Sequence, residues 1–202
     1  MARRVTVLAV LVALALLASC SSGTPQEGDV NGAVLTEPYV VPDTELVDTT
    51  GRPFSLAADT DERLTLVFFG YTHCPDICQV VMSSLSSAMT RLDESDRDDV
   101  EVVFVTTDPA RDDEQALRSY LDRFDPSFLG LTGDLDTIAA VGDDLGIAVE
   151  QGEKLPSGGY EVTHSTPVLG IDGEDRAQIV WTQGTSAAEF AADIHLLLTG
   201  EV

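Results

Sequence analysis

The pattern of hydrophobic and polar positions divides much of the chain into short apolar runs and longer stretches of helical periodicity. Residues 64–69 form a nearly continuous apolar run, typical of a central strand buried on both faces. In residues 76–92 the apolar side chains recur every three to four positions, which predicts an amphipathic helix. Residues 100–105 and 112–124 repeat the strand and helix patterns. This alternation indicates a sheet whose parallel strands are joined by helices.

The remaining segments extend this pattern in both directions. Before the first strand, residues 44–56 predict a β-hairpin with Thr50 and Gly51 in its turn. The later segments predict a charged loop at 94–99, a strand at 128–131, a helix at 134–145, a strand at 147–149, a polar loop at 150–159, a strand pair at 166–171 and 178–181, and a last helix opened by a capping box at 186–189. The fold class is therefore α/β, with a mixed central sheet, helices on both faces and an N-terminal hairpin extension.

The first 19 residues have the pattern of an export signal. Arg3 and Arg4 precede an apolar run of 13 residues at 5–17, which is shorter than the roughly 20 residues needed to span a bilayer. The next residues, ending in Ser19 and Cys20, resemble a bacterial lipobox, in which the cysteine is lipid-modified and becomes the mature N-terminus. An ordinary cleavage site with an incidental cysteine is the alternative. We expect a lipid anchor at Cys20 that holds an exported protein on the extracytoplasmic face of a bacterial membrane.

The predicted organisation is a signal peptide at 1–19, a flexible tether at 20–37 and one domain at 38–202. The chain is strongly acidic, with 11 Lys and Arg against 35 Asp and Glu. Its formal charge of −24 becomes −26 when Arg3 and Arg4 leave with the signal peptide. Such a charge argues against binding to nucleic acid phosphates, and it indicates a well-solvated surface.

Chemistry is expected where the first central strand meets its helix. Cys74 and Cys78 stand there, four positions apart and so on one face of a helix. The N–H groups of a helix N-terminus favour a thiolate and lower a cysteine pKa. The pair can form a disulfide or hold one metal ion between the sulfurs. A disulfide that closes so short a loop would add little stability, so a purely structural pairing is the weaker explanation.

Soft thiolates select Cu(I) or Zn, and an imidazole completes a site for copper in either oxidation state. Of the three histidines, His164 stands before an apolar strand and is the best third ligand, although a buried structural histidine is the alternative. His73 adjoins Cys74 in an awkward position, and His195 on the last helix is expected to be structural or exposed. Met82, one turn beyond Cys78, is expected to pack in the core rather than to bind a metal.

Four segments resemble a known family in its order. The run Phe69-Gly70-Tyr71-Thr72-His73-Cys74-Pro75-Asp76-Ile77-Cys78 resembles the signature of the Sco/SenC family of copper-binding assembly proteins for cytochrome c oxidase. Thr107-Asp108-Pro109-Ala110-Arg111-Asp112, Gly130-Leu131-Thr132-Gly133 and His164-Ser165 are similar to its further motifs. The likeness runs from about residue 44 to 198, nearly the whole predicted domain.

The resemblance implies a thioredoxin-like fold that binds one copper ion through Cys74, Cys78 and His164. It also implies that Asp108 lies near the site, either behind the ligands or as a cap of the following helix. The expected function is a membrane-anchored copper chaperone that delivers Cu(I) or Cu(II) to the CuA site of a cytochrome c oxidase subunit. The alternative is a thiol–disulfide oxidoreductase that reduces the cysteines of the apo CuA site through a Cys74–Cys78 disulfide.

This chain departs from the family pattern at two places. Many relatives have Asp before the distal histidine, where this chain has Thr163, so a carboxylate that would orient the imidazole is missing. Gln79 follows Cys78 where proline is common, a change expected to matter little. Thr166-Pro167 looks like the Thr-cis-Pro of thioredoxins, and by that similarity a cis bond is expected.

Overall fold

The computed structural model describes residues 30–154, 160–164 and 166–200, with the backbone alone for 150–154 and 160–164. The described strands are β1 (Ala33–Val40), β2 (Glu45–Asp48), β3 (Pro53–Ser55), β4 (Leu64–Gly70), β5 (Val100–Thr106), β6 (Leu129–Thr132), β7 (Val149–Lys154), β8 (Tyr160–His164), β9 (Val168–Asp172) and β10 (Arg176–Trp181). The described helices are α1 (Ile77–Met89), α2 (Glu94–Asp98), α3 (Glu114–Leu121), α4 (Leu135–Asp144) and α5 (Ala187–Thr199).

Eight strands form one mixed sheet in the order β1-β10-β9-β4-β5-β6-β2-β3. Strands β4, β5 and β6 are parallel neighbours, whereas β9 runs antiparallel to β4. Helices α1, α3 and α5 contribute to the hydrophobic core on one face, and α4 contributes to the core on the other. Strands β7 and β8 pair separately as a hairpin. The predicted α/β class, with a mixed sheet and helices on both faces, is confirmed.

Strand β4 lies at the centre of the sheet between β5 and β9, and all seven of its residues are buried. Successive side chains point to opposite faces of a strand. Phe68 therefore joins the core beneath α1, while Phe69 joins the core beneath α4. Burying one such ring contributes roughly 1.5–3 kcal/mol. The continuous apolar run thus positions the residues that follow it by packing from both sides.

The hairpin predicted at 44–56 is present as β2 and β3, and it joins the sheet through β6. Gly51 occupies the turn with a φ of 79°, a conformation that costs glycine little. The predicted capping box is also present, since Ser186 and Glu189 exchange hydrogen bonds at the start of α5. The local signals in these segments were sufficient to predict them.

Three predicted segments were wrong. Residues 94–98 form the short helix α2 instead of a loop, because the Asp93 side chain caps it by accepting from the Asp96 N–H. The polar stretch from 150 contains β7, which begins at Val149 and pairs with β8. Residues 33–37, assigned to the tether, belong to β1, which is held by backbone pairing with β10. The predicted signal peptide and most of the tether lie outside the described residues.

A buried carboxylate on α5 fastens the start of the described chain. Asp193 accepts hydrogen bonds from the backbone N–H groups of Asn31 and Gly32, each at 2.9 Å, and from the Asn31 side chain at 2.7 Å. It also accepts from Trp181 Nε1 at 2.7 Å. In the part of the chain described here, no helix combines the length and the apolar character needed to cross a membrane.

Candidate metal centre

The two cysteines lie where β4 ends and α1 begins. A tight turn follows Gly70, in which the Cys74 N–H donates to the Tyr71 carbonyl at 3.2 Å. Helix α1 then starts at Ile77, so Cys78 lies in its first turn. A Cβ at Gly70 would lie 2.9 Å from Phe104 Cε2, 3.0 Å from Phe68 Cε1 and 3.1 Å from Cys78 Sγ. Only glycine lets the backbone turn this close to the aromatic core and the Cys78 sulfur.

Cys74 and Cys78 are not joined in a disulfide, and both are buried, with Cys74 5% and Cys78 0% exposed. The Cys78 N–H donates to Cys74 Sγ at 3.4 Å, and the two sulfur groups are themselves within hydrogen-bonding reach. The predicted juxtaposition of these residues on one helical face is therefore present. Such an arrangement allows either a disulfide or shared coordination of one ion.

Burial raises the pKa of the Cys78 thiol strongly, and its hydrogen bond with Cys74 raises that pKa further. A hydrogen bond from the Tyr71 backbone N–H acts in the opposite direction but is outweighed. The expected lowering of the cysteine pKa at the helix start is thus wrong for Cys78, because the apolar core disfavours a thiolate more than the helix N-terminus favours it. Cys78 is a protonated thiol at neutral pH until something replaces its proton.

Tyr71 lies against Cys74. Its hydroxyl is hydrogen-bonded to the Cys74 sulfur, and the pKa of Tyr71 is raised first by burial and then by the charges that Cys74 and Cys78 would carry. The Arg111 guanidinium lies 6.0 Å from the centre of the Tyr71 ring. A tyrosine hydroxyl and the backbone N–H of Cys78 therefore both face the Cys74 sulfur.

Asp108 follows β5 and is buried, where its carboxylate pairs with the guanidinium of Arg111. Its backbone N–H donates to Thr106 Oγ1 at 3.0 Å. The suggestion that Asp108 caps the following helix is wrong, because Asp113 caps α3 by accepting from the Ala116 N–H. A role of Asp108 behind the metal ligands stays a prediction.

Asp112 is the residue at this site whose role was not foreseen. It is fully buried, and its carboxylate accepts from the Thr72 N–H at 2.8 Å, the Thr72 hydroxyl at 2.6 Å and the Thr106 hydroxyl at 2.8 Å. In the sequence it appeared only as an acid at a helix start. Its place as the second aspartate of the Asp-Pro-Ala-Arg-Asp segment was the available signal.

His164 ends β8, with Val149 opposite it on β7. Strand β9 starts with Val168 opposite Phe68 and runs antiparallel to β4, so Thr166 and Pro167 precede it at the end of the sheet where the cysteine turn begins. The His164 side chain is outside the described set, so its role as a metal ligand stays a prediction. Among the side chains that are described, no three His, Cys, Asp or Glu residues converge as a metal site.

The peptide bond between Thr166 and Pro167 is trans, as are the other described peptide bonds, so the expected cis bond is wrong. His73 is largely exposed, and its Nδ1 lies 2.9 Å from the Thr72 hydroxyl. His195 is also exposed and pairs with Asp96 at 2.7 Å, in agreement with a structural or surface role. Met82 is fully buried in the core, as predicted.

The chain is similar over most of its length to a protein named for copper binding and to mitochondrial SCO2 proteins. It is 34% identical over 151 residues to a putative copper-binding protein of Stutzerimonas stutzeri, covering 74% of this chain and 73% of that one. It is 37% identical over 134 residues to the mitochondrial SCO2 homolog of Mus musculus, covering 65% of this chain. The chain spans about half the length of the mitochondrial relatives it matches, 52% in the mouse protein.

Solved structures show the same fold. Apo Sco1 from Thermus thermophilus superposes with a TM-score of 0.75 at 27% identity, covering 87% of this chain and 99% of that one. Copper-bound ScoI from Bradyrhizobium japonicum gives 0.67 at 28% identity, covering 77% and 98%. The thioredoxin-like fold is thereby confirmed. A sequence model of the SCO1/SenC family matches residues 34–199, and the chain therefore belongs to the SCO1/SenC family.

Proposed function

We propose that this protein is a copper chaperone that binds one copper ion through Cys74, Cys78 and His164 and delivers it to the CuA site of a cytochrome c oxidase subunit. The observation that carries the proposal is the dithiol at the β4–α1 junction, with both sulfurs buried and within hydrogen-bonding reach of each other. Its relatives include a protein named for copper binding and a Sco protein solved with copper bound.

The donor set fits copper chemically. Thiolates are soft ligands that select Cu(I), and an added imidazole accommodates Cu(II) as well. The raised pKa of Cys78 means that the ion must displace a proton from this sulfur when it binds. His164, the last residue of β8, would supply the imidazole as the third ligand. Asp108 would support the site from the end of β5.

Transfer to an acceptor is favoured when the chaperone and the acceptor share one membrane surface. The sequence up to Cys20 predicts a signal peptide and a lipid anchor, which would place the domain on the extracytoplasmic side of a bacterial membrane. An anchored pair meets at a high effective concentration, so ligand exchange needs no strong docking interface. Copper then passes from Cys74, Cys78 and His164 to the ligands of the apo CuA site, and the thiols regain their protons.

A thiol–disulfide oxidoreductase is the second candidate, and the contact between the two sulfur groups favours it. Cys74 is the more exposed cysteine, so its thiolate would attack a disulfide in the apo CuA site and release one acceptor thiolate. Cys78 would then attack the mixed disulfide and release the second. The protein becomes oxidised by two electrons, the acceptor becomes a dithiol, and the two protons of the chaperone thiols move to the acceptor, with His164 assisting.

A copper titration tests the first candidate. We expect the reduced wild-type protein to bind one copper ion per chain, with a thiolate-to-copper absorption band in the Cu(II) form. Cys74→Ser, Cys78→Ser and His164→Ala should each weaken binding by at least tenfold. His73→Ala and His195→Ala serve as matched histidine controls and should leave the affinity unchanged. Equal affinity in wild type and His164→Ala would contradict the proposed ligand set.

The second candidate needs its own measurement. The reduced protein is mixed with an oxidised, copper-free CuA domain, and free thiols on the CuA domain are counted by mass after alkylation. Reduction of the acceptor by wild type but not by Cys74→Ser supports an oxidoreductase. If no acceptor thiols appear over a range of glutathione potentials while copper transfer proceeds, the oxidoreductase function is refuted and the copper chaperone function is retained.

A further inference from the structure

Asp112 is a buried carboxylate directly beneath the cysteine turn. Its Oδ1 accepts from the Thr72 hydroxyl, and its Oδ2 accepts from the Thr72 N–H and the Thr106 hydroxyl. These three donors are all neutral. The imidazole of His73, on a mostly exposed side chain, places its Nδ1 3.7 Å from Asp112 Oδ1. Both carboxylate oxygens accept hydrogen bonds, which offsets part of the cost of burying this side chain.

The hydrogen bonds of Asp112 join segments that lie far apart in the sequence. Thr72 is 40 residues away in the cysteine turn, and Thr106 ends β5. The Asp112 backbone is held in turn, because its carbonyl accepts from the Thr132 hydroxyl at 3.1 Å at the end of β6. Asp112 therefore connects the cysteine turn to the ends of two central strands.

The segment held by Asp112 is the one that shapes the dithiol. Tyr71, next to Thr72, provides the backbone N–H for the Cys78 sulfur and the hydroxyl for the Cys74 sulfur. Its carbonyl accepts from the Cys74 N–H. The N–H of Thr72 is fixed by the carboxylate of Asp112, so the Tyr71–Thr72 peptide is fixed too. Movement of this peptide would disturb the surroundings of both sulfurs at once.

The charge of Asp112 has a second consequence for an ion held by the two thiolates. Two thiolates and one buried carboxylate together carry three negative charges. Cu(I) leaves two of them uncompensated, whereas Cu(II) leaves one. In a poorly solvated site, a fixed negative charge stabilises the more highly charged ion. The carboxylate is hydrogen-bonded to Thr72, two residues before Cys74, so its charge lies close to the dithiol turn.

We infer that Asp112 is a positioning residue of the dithiol turn and that its charge shifts the preference of the site from Cu(I) toward Cu(II). This inference rests on the proposed copper-binding function. Two properties of this side chain act separately. Its hydrogen bonds position the turn, and its charge favours Cu(II) over Cu(I).

Two variants separate these properties in the full chain, held in detergent. Asp112→Asn keeps the size and one carbonyl acceptor but removes the charge, while Thr72→Val removes one hydrogen bond and keeps the charge. Asp113→Asn, the exposed neighbour, is the charge-matched control. The affinities for Cu(I) and Cu(II) are measured separately, each by competition with a chromophoric chelator of that ion.

We expect Asp112→Asn to raise the ratio of Cu(I) to Cu(II) affinity by about tenfold, equivalent to about 59 mV in a one-electron potential. Thr72→Val should weaken both ions alike and accelerate hydrogen exchange of the Cys74 amide, with the ratio unchanged. Asp113→Asn should change neither. If Asp112→Asn does not fold, Asp112→Ser provides the same neutral comparison with a smaller side chain.

An unchanged ratio in Asp112→Asn, with both affinities reduced equally, would overturn the charge effect. An unchanged exchange rate and unchanged affinities in Thr72→Val would overturn the positioning effect. Failure of the proposed function is distinguishable, because then the wild-type protein itself would bind no copper through Cys74 and Cys78.

Discussion

The absence of a side chain at Gly70 affects both the packing of the sheet and the geometry of the dithiol. Adding one methyl group in Gly70→Ala would place a Cβ within 2.9–3.1 Å of Phe104, Phe68 and Cys78. Real Cβ contacts are rarely this short, so at least one of these groups must move. Both rings are fully buried and packed against each other at 6.0 Å between centroids, so they have little room to yield.

Overpacking of this kind costs about 1–3 kcal/mol in the free energy of unfolding. For a domain of this size, that corresponds to a fall in Tm of about 2–4 °C per kcal/mol. The third neighbour is the Cys78 sulfur, so any displacement of it changes the position of one half of the dithiol. We therefore expect Gly70→Ala to weaken copper binding as well as stability, since the two sulfurs would no longer keep their spacing.

Urea unfolding of the copper-free protein measures the first effect, and copper competition measures the second. Gly173→Ala is the matched control, because a Cβ there would meet nothing within 4 Å. That control should leave stability within about 0.5 kcal/mol and binding unchanged. If Gly70→Ala behaved like Gly173→Ala in both assays, the close packing of the turn against the aromatic core would not be important.

Three further predictions concern the fold and its ionisable groups. Asp193→Ala should cost about 3–5 kcal/mol in urea unfolding, because it leaves the buried Trp181 indole N–H unpaired and releases the N-terminal segment; a loss below 1 kcal/mol would contradict this. The raised pKa of Cys78 stabilises the copper-free fold below the ordinary thiol pKa of 9.0, and this contribution is lost as pH rises above that value. Unfolding free energy should therefore fall above about pH 9 in wild type and less in Cys78→Ala, and identical pH profiles would refute the assignment. Ser186→Ala should cost about 0.5–2 kcal/mol by removing the cap of α5, with Thr199→Ala at the opposite end of the helix as a control expected to cost less.

Copper binding should also depend on pH in a defined direction. The Cys78 proton must leave when the ion binds, so the apparent affinity should rise by up to about tenfold per pH unit for each proton released. Parallel titrations at pH 6, 7 and 8 measure this slope, and Cys78→Ser should show a smaller one. A wild-type affinity that did not change with pH would mean that Cys78 is not a ligand.

Elements with strong local signals were predictable. The apolar run of β4, the periodicity of α1 and the capping box of α5 each depend on residues within a few positions of one another. Strand β1 gave no such signal, because most of its side chains are exposed and its pairing partner is about 140 residues away. The short helix α2 likewise depends on one cap and on Arg97 donating to the carbonyls of Met89 and Leu92.

Local patterns along the chain were enough to predict the central strand buried on both faces, its end at Gly70, and the placement of Cys74 and Cys78 four positions apart on a helix start. These follow from side-chain alternation, helical spacing and short-range sterics, which act along the chain. The packing of distant elements was needed to reveal that Cys78 is buried deeply enough to hold its proton, and that Asp112 is hydrogen-bonded to the turn across 40 residues. Burial and long-range hydrogen bonds are set by which elements pack together, and the local pattern of residues does not contain that information.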